Sequence, residues 1–227
     1  MSARGPFALP AHWLAGAQIG LVTAVRDPEG LGRVQVRLTG PDADGTALMW
    51  ARTVVPFAGN NRGAFLIPDV SDEVLVVFIA GDPRWPVVLG GMWNGRDTPP
   101  ESLDGERVDR WSLTGTNGTR IAIVEEAEGR ESVEIETPSG VSARLTDAGG
   151  GALTLEAAGS TVRLDASGVA IDTGGKVSVH AGSVEVAAGE VRVNAAFAQF
   201  SGIVSCDTLI ANSVISGSYT PGTGNIW

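Results

Sequence analysis

The sequence has few of the residues that support redox, metal or nucleic-acid chemistry. Its 227 residues include one cysteine and two histidines, so neither an intrachain disulfide nor a cysteine-based zinc site can form. Lysine and arginine number 16 against 26 acidic residues, which gives a formal net charge of -10. Phosphate binding needs clustered basic side chains, so this balance argues against nucleic acid as a partner. We expect no cofactor and no bound metal.

Long apolar runs are also missing. No run approaches the roughly 18 apolar residues of a membrane-spanning helix. Pro6 and Pro10 interrupt the N-terminus, which lacks the apolar stretch of a secretory signal. The sequence therefore predicts a chain made and folded in a cytoplasm, with any export by another route.

Proline divides the chain into two parts. Ten of the 12 prolines lie at or before Pro100, and none falls between Pro138 and Pro221. Because proline removes one backbone donor from a β-ladder, its absence favours a long, fully paired sheet in the second part. The 31 glycines and only 19% charged residues are typical of a turn-rich β protein.

The first part predicts a small closed barrel. Apolar and polar residues alternate in 33–38, whereas 74–80 is an apolar run expected to be buried on both faces. No long amphipathic pattern intervenes, so an oligonucleotide/oligosaccharide-binding (OB) type barrel of five strands is the natural candidate. We assign an N-terminal arm to 1–17, the barrel to 18–96 and a linker to 97–110. The five predicted strands are 19–26, 33–38, 49–55, 74–80 and 85–93.

The second part repeats one short unit, a strand with two apolar residues two apart followed by a corner of small residues. From Lys176 the unit recurs every seven residues. A strand and corner of this length is too short for a hairpin arm, and a single-chain β-helix needs coils of about twenty residues. Because an unpaired strand edge is unstable, we predict an obligate homotrimer in which 111–216 forms an intertwined triple-stranded β-helix, or trimeric β-prism. The predicted trimer core comprises Val162, Leu164, Val169, Ile171, Val177, Val179, Val184, Val186, Val191 and Val193.

Three motifs in the first part carry a family resemblance. They are D-P-E-G-L-G-R-V-Q-V (27–36), P-D-V-S-D-E-V (68–74) and G-D-P-R-W-P-V-V-L-G (81–90). In this order, and followed by the repeat, they resemble the phage baseplate assembly protein V family, the central spike of contractile tails. The module also occurs in the valine-glycine repeat spikes of type VI secretion.

The resemblance implies a structural, membrane-puncturing needle made in a bacterial cytoplasm and assembled into a phage tail or tail-like particle. It also implies a baseplate hub protein at the barrel end and a target cell envelope. The family usually has glycine where Ser71 stands, so that turn is expected to be built differently. The muramidase domain and the His-x-His iron site of some relatives have no counterpart in this sequence.

The last residues, 217–227, abandon the repeat. Tyr219, Pro221, Ile226 and Trp227 either cap the open end of the prism or dock a separate tip protein, such as a proline-alanine-alanine-arginine repeat cone. The sequence leaves both alternatives open.

We predict no catalytic activity. No nucleophile has a plausible histidine partner, and a filled prism offers no cleft for the paired carboxylates of glycoside hydrolysis. Asp165 and Asp172, seven residues apart, are expected to point away from the apolar positions beside them. A glycan- or other ligand-binding barrel on a β-helical stalk is the alternative function.

Overall fold

The computed structural model describes residues 16–40 and 47–218. The chain divides into one unit that ends at Lys176 and a second that begins at Val177. The elements are β1 (Gln18–Ala24), β2 (Val34–Leu38), β3 (Leu48–Thr53), β4 (Ala58–Gly59), β5 (Arg62–Gly63), β6 (Glu73–Phe78), a 3-10 turn (Ile79–Gly81), β7 (Pro86–Gly91), β8 (Arg110–Thr114), β9 (Arg120–Glu125), β10 (Glu131–Glu136), β11 (Ser142–Thr146), β12 (Ala152–Ala157), β13 (Ser160–Asp165) and β14 (Gly168–Asp172).

Five of these strands close into a barrel in the order β1-β2-β3-β7-β6. The neighbours are antiparallel except β3 and β7, which run parallel. A short hairpin of β4 and β5 projects from the connection between β3 and β6. The predicted all-β class and five-stranded OB-type barrel are confirmed.

The barrel core follows from alternation along the strands. On β2, Val34 and Val36 are fully buried while Gln35 and Arg37 are half-buried on the outer face. The apolar run in β6 is buried on one face only, because Leu75 and Val77 remain partly exposed; the expectation of burial on both faces is wrong. The core comprises Val22, Val34, Val36, Leu38, Ala51, Val74, Val76, Phe78 and Val88.

The turn before β6 is fixed by local hydrogen bonds. The Asp72 N–H donates to the Asp69 carbonyl at 3.1 Å, and the Asp69 N–H donates to Asp72 Oδ2 at 2.8 Å. Ser71 between them has φ of 79°, in the left-handed region that favours glycine. The serine therefore adopts the conformation that suits a glycine and does not require a different turn.

Strands β8–β14 form a seven-stranded antiparallel meander in which each strand pairs with its neighbours in sequence. The first two repeat units, T-V-R-L-D-A-S-G (161–168) and V-A-I-D-T-G-G (169–175), form the last hairpin of the meander, β13 and β14. Val162 lies opposite Ile171, and Leu164 lies opposite Val169. The expectation that the unit is too short for a hairpin arm is wrong here, because its corner reverses the chain. Asp165 Oδ1 accepts the Ser167 N–H at 2.8 Å, and Gly168 takes positive φ of 132°.

Candidate functional site: an exposed apolar sheet face

One face of the seven-stranded sheet is apolar from edge to edge. The register places one apolar side chain per strand in each of two rows that cross all seven strands. The first row is Trp111, Ile123, Val133, Leu145, Leu153, Leu164 and Val169. The second row is Leu113, Ile121, Ile135, Ala143, Leu155, Val162 and Ile171. We call these two rows the apolar face.

The apolar face is open to solvent in the single chain. Its exposed side chains range from Leu164 at 39% to Val169 at 69%. Burying what remains exposed would contribute on the order of 1 kcal/mol for each large side chain. Over the whole face this approaches the stability of a typical domain. So large a contiguous apolar surface is typical of a protein interface.

The opposite face of the same sheet is polar. Near its centre Arg144, Thr154 and Arg163 lie side by side on β11, β12 and β13. Asp165 and Asp172 also lie on this face, as predicted, since Asp172 pairs with Thr161 and Asp165 with Gly168. Alternation along each strand thus places apolar side chains on one face of the sheet and mostly polar side chains on the other.

An ion-pair network on the polar face joins the sheet to Glu101, which lies in the segment between β7 and β8. Arg120 contacts Glu101 at 2.7 Å and Glu134 at 2.8 Å. The hydrogen bond from Arg120 lowers the pKa of Glu101. Burial raises the pKa of Glu134, but hydrogen bonds from Arg120 and Ser132 outweigh it, so the net shift is downward. Both carboxylates are therefore held charged, and each has Arg120 as its partner within the chain.

Among the described residues, the valine pairs after the sheet have no strand partners. Within the described part of the chain, residues 177–218 form no strand and no backbone–backbone hydrogen bond. Val177, Val179 and Val193 are 60%, 71% and 72% exposed. An apolar, unpaired segment of this kind is not stable alone in water, because its backbone groups are unpaired and its apolar side chains are exposed.

The predicted core residues thus fall into two groups. Val162, Leu164, Val169 and Ile171 lie together on the apolar face, whereas the valines from Val177 onward lie in the strandless segment. Sequence reasoning missed the ten earlier members of the apolar face. Their signal is the same alternation, in W-S-L, I-A-I, V-E-I, A-R-L and L-T-L, without the regular seven-residue spacing.

The other predicted features can be located only in part. Tyr219, Pro221, Ile226 and Trp227 lie outside the described residues. Among the described residues, no group of three histidine, cysteine or acidic side chains is placed to hold a metal ion. No helix in the described ranges is long and apolar enough to cross a membrane.

Two family models match the chain. Residues 18–93 match the type VI secretion system/phage-baseplate injector OB domain, which coincides with the barrel. Residues 132–198 match the phage baseplate V C-terminal trimerisation domain, which runs from β10 through the first valine pairs of the strandless segment. Together the two matches cover more than half of the chain.

Several curated proteins are similar to the chain. The type VI secretion system spike protein VgrG4b of Pseudomonas aeruginosa is 29% identical over 57% of this chain and 18% of its own length. Spike protein VgrG5 of the same organism is 28% identical over the same shares. The actin cross-linking toxin VgrG1 of Vibrio cholerae is 30% identical over 37% of this chain and 8% of its own length. The chain spans less than a fifth of the length of these relatives.

Proposed function

Because the chain belongs to the phage baseplate V family of injector spike proteins, we propose that three copies of it form the central spike of a contractile tail or injection particle. The three apolar faces turn towards a common axis and bury one another. The valine segments form an intertwined β-prism, in which strands of different chains pair edge to edge.

The apolar face is the observation that carries this proposal. It lies on one side of a sheet whose other side is polar and carries its own ion pairs, so the apolar side needs an apolar partner. The match to a trimerisation domain covers five of the seven strands, β10 to β14, and continues into the valine segment. A threefold arrangement supplies each copy with the same partner surface and closes without leaving an open edge.

The function we propose is mechanical. The barrel seats on a baseplate hub protein, and the prism transmits axial force to the target cell envelope when the particle contracts. Inter-chain hydrogen bonds around a dry core supply the stiffness, and no covalent bond is made or broken. The residues from 217 onward cap the prism or receive a separate tip protein.

The mass of the purified chain in solution tests the assembly. Light scattering coupled to size exclusion should give three times the 23.3-kDa chain mass, roughly 70 kDa. Because an obligate trimer does not dissociate into a folded monomer, dilution should not produce a 23.3-kDa folded species. A stable folded monomer would contradict the proposal.

A further inference from the structure

The outer surface of the barrel carries a groove lined by tryptophan and arginine. Its residues come from the outer face of β3, from the loops that precede β2 and β7, and from the first residue of β7, and its volume is about 430 Å³. In OB-type barrels this face and these two loops are where oligosaccharides and oligonucleotides bind. The lining residues are Leu31, Arg33, Trp50, Arg52, Arg84 and Trp85.

Two cation–aromatic pairs organise the groove. The Arg33 guanidinium lies 5.9 Å from the centre of the Trp50 ring, and the Arg52 guanidinium lies 6.0 Å from the centre of the Trp85 ring. Both distances are within the range of a favourable cation–π contact. Trp85 remains 53% exposed, so Arg52 covers part of the indole and leaves the rest open to a ligand.

Carboxylates of the chain already hold two of the three arginines. Arg33 donates to Asp27 at 2.8 and 3.0 Å, and Arg84 donates to Asp82 at 2.6 and 3.0 Å. In the described residues Arg52 forms no ion pair with a carboxylate. The groove therefore offers a single uncompensated cation beside an open aromatic ring.

The loop before β7 holds Trp85 in place. The backbone N–H of Trp85 donates to the Asp82 carbonyl at 3.0 Å, and the backbone carbonyl of Trp85 accepts the Ile79 N–H at 3.1 Å. These bonds fix the backbone that carries the indole, and Arg52 contacts the ring, which reduces the entropy cost of binding.

We propose that this groove binds an oligosaccharide that carries a carboxylate, with a pyranose ring stacked on Trp85 and the carboxylate paired with Arg52. An indole ring presents the flat apolar surface that the C–H face of a sugar matches. One free guanidinium suits one carboxylate. The net charge of -10 and the internal pairing of Arg33 and Arg84 disfavour a polyphosphate strand, which needs several free cations. The site goes beyond the mechanical function and does not depend on the apolar face.

Calorimetric titration of the full chain tests the site with three probes: a trisaccharide in which one residue is a uronic acid, neutral maltotriose and an oligothymidylate. We expect the acidic trisaccharide to bind more tightly than maltotriose, and the oligothymidylate not to bind. Trp85→Ala should weaken binding of the acidic sugar on the order of tenfold, the loss typical of a stacking platform. Arg52→Gln should remove the preference for the acidic sugar but keep the weak binding of maltotriose.

Trp93→Ala is the matched control. Trp93 is 67% exposed and lines a different groove, with Arg96 and Asp97, so its removal should leave sugar binding unchanged. A thermal melt of each variant verifies that its barrel is folded. The proposal is overturned if a folded Trp85→Ala variant binds as well as the parent, if maltotriose binds as tightly as the acidic sugar, if the oligothymidylate binds best, or if none of the probes binds.

Discussion

At the scale of single residues, Ser71 is the clearest local conflict in the barrel. Its φ of 79° costs a non-glycine residue about 1–2 kcal/mol. The turn persists because neighbouring hydrogen bonds hold it, including the one from the Ser71 N–H to the Val22 carbonyl at 2.9 Å. The hydroxyl makes no described hydrogen bond that would offset the strain.

Ser71→Gly should therefore stabilise the barrel. Glycine removes the left-handed strain but is more flexible in the unfolded chain, so the net gain should be up to about 1 kcal/mol. Thermal denaturation measures it as a higher Tm. Ser102→Gly, at an exposed position without positive φ, is the control and should leave Tm unchanged or slightly lower. A lower Tm for Ser71→Gly would contradict the claim that the backbone of Ser71 is strained.

Asp27 organises the loop between β1 and β2. Its carboxylate accepts the N–H groups of Glu29 and Leu31, both at 3.0 Å, and the Arg33 guanidinium. The side chain is only 3% exposed. Hydrogen bonding from Arg33 holds the pKa of Asp27 well below its usual range, so the folded state favours the charged form.

We expect Asp27→Asn to lower Tm at neutral pH. A depressed folded pKa stabilises the protein above the unfolded pKa of about 3.9, and this contribution is lost as pH falls. The Tm difference between parent and variant should therefore shrink below about pH 4. Glu29→Gln is the control, because its 65% exposed side chain makes a surface ion pair of little value. An equal Tm difference at every pH would refute the role of the charge.

At the scale of elements, the two faces of β12 can be tested one residue apart. Leu155 lies on the apolar face, between Ala143 and Val162, and Thr154 lies on the polar face, between Arg144 and Arg163. Leu155→Glu should abolish the trimer, because three carboxylates would be buried without partners. Light scattering should then give a monomer or aggregates instead of the trimer mass.

Thr154→Glu is the matched control, since its carboxylate would sit between two arginines and opposite charges across strands are favourable. The trimer should survive this change. If both variants stay trimeric, the apolar face is not the subunit interface. If both dissociate, the two faces do not differ in the way their chemistry indicates.

The sequence predicted the barrel because each strand's alternation and each turn residue specify it locally. The β2 pattern around Val34 and Val36 and the turn beginning at Asp27 carry that information. The meander was harder to predict from the sequence. A strand such as Val169–Asp172 can pair with a strand of its own chain or with a strand of another copy, and the alternation of apolar and polar residues is the same in both cases. For the same reason the apolar face was recognised at Val162 and Leu164 and missed at Ile123 and Leu145, whose spacing is irregular.

At the scale of the whole molecule, the segment from Val177 onward distinguishes a free chain from an assembled one. Among the described residues of the single chain, the backbone of 177–218 has no ladder partners, so its amide protons should exchange rapidly unless other copies supply those partners. Hydrogen–deuterium exchange with mass spectrometry should show strong protection of 177–193 in the purified protein. In Leu155→Glu that protection should disappear.

The linker residues 98–106, which form no strand, provide the internal reference and should exchange rapidly in both proteins. Fast exchange of 177–193 in a protein that scatters as a trimer would show that the valine segment is not part of the prism. The trimer would then depend on the apolar face alone.

The meander also sets an order of events during biogenesis. Its strands pair only with sequence neighbours, so each contact closes a short loop and the sheet can form quickly on one nascent chain. The described residues 177–218 form no such pairs with one another, so this segment has to wait until other copies arrive. Subunits would then associate first through their folded sheets. Their valine segments would pair afterwards, from Val177 towards the C-terminus.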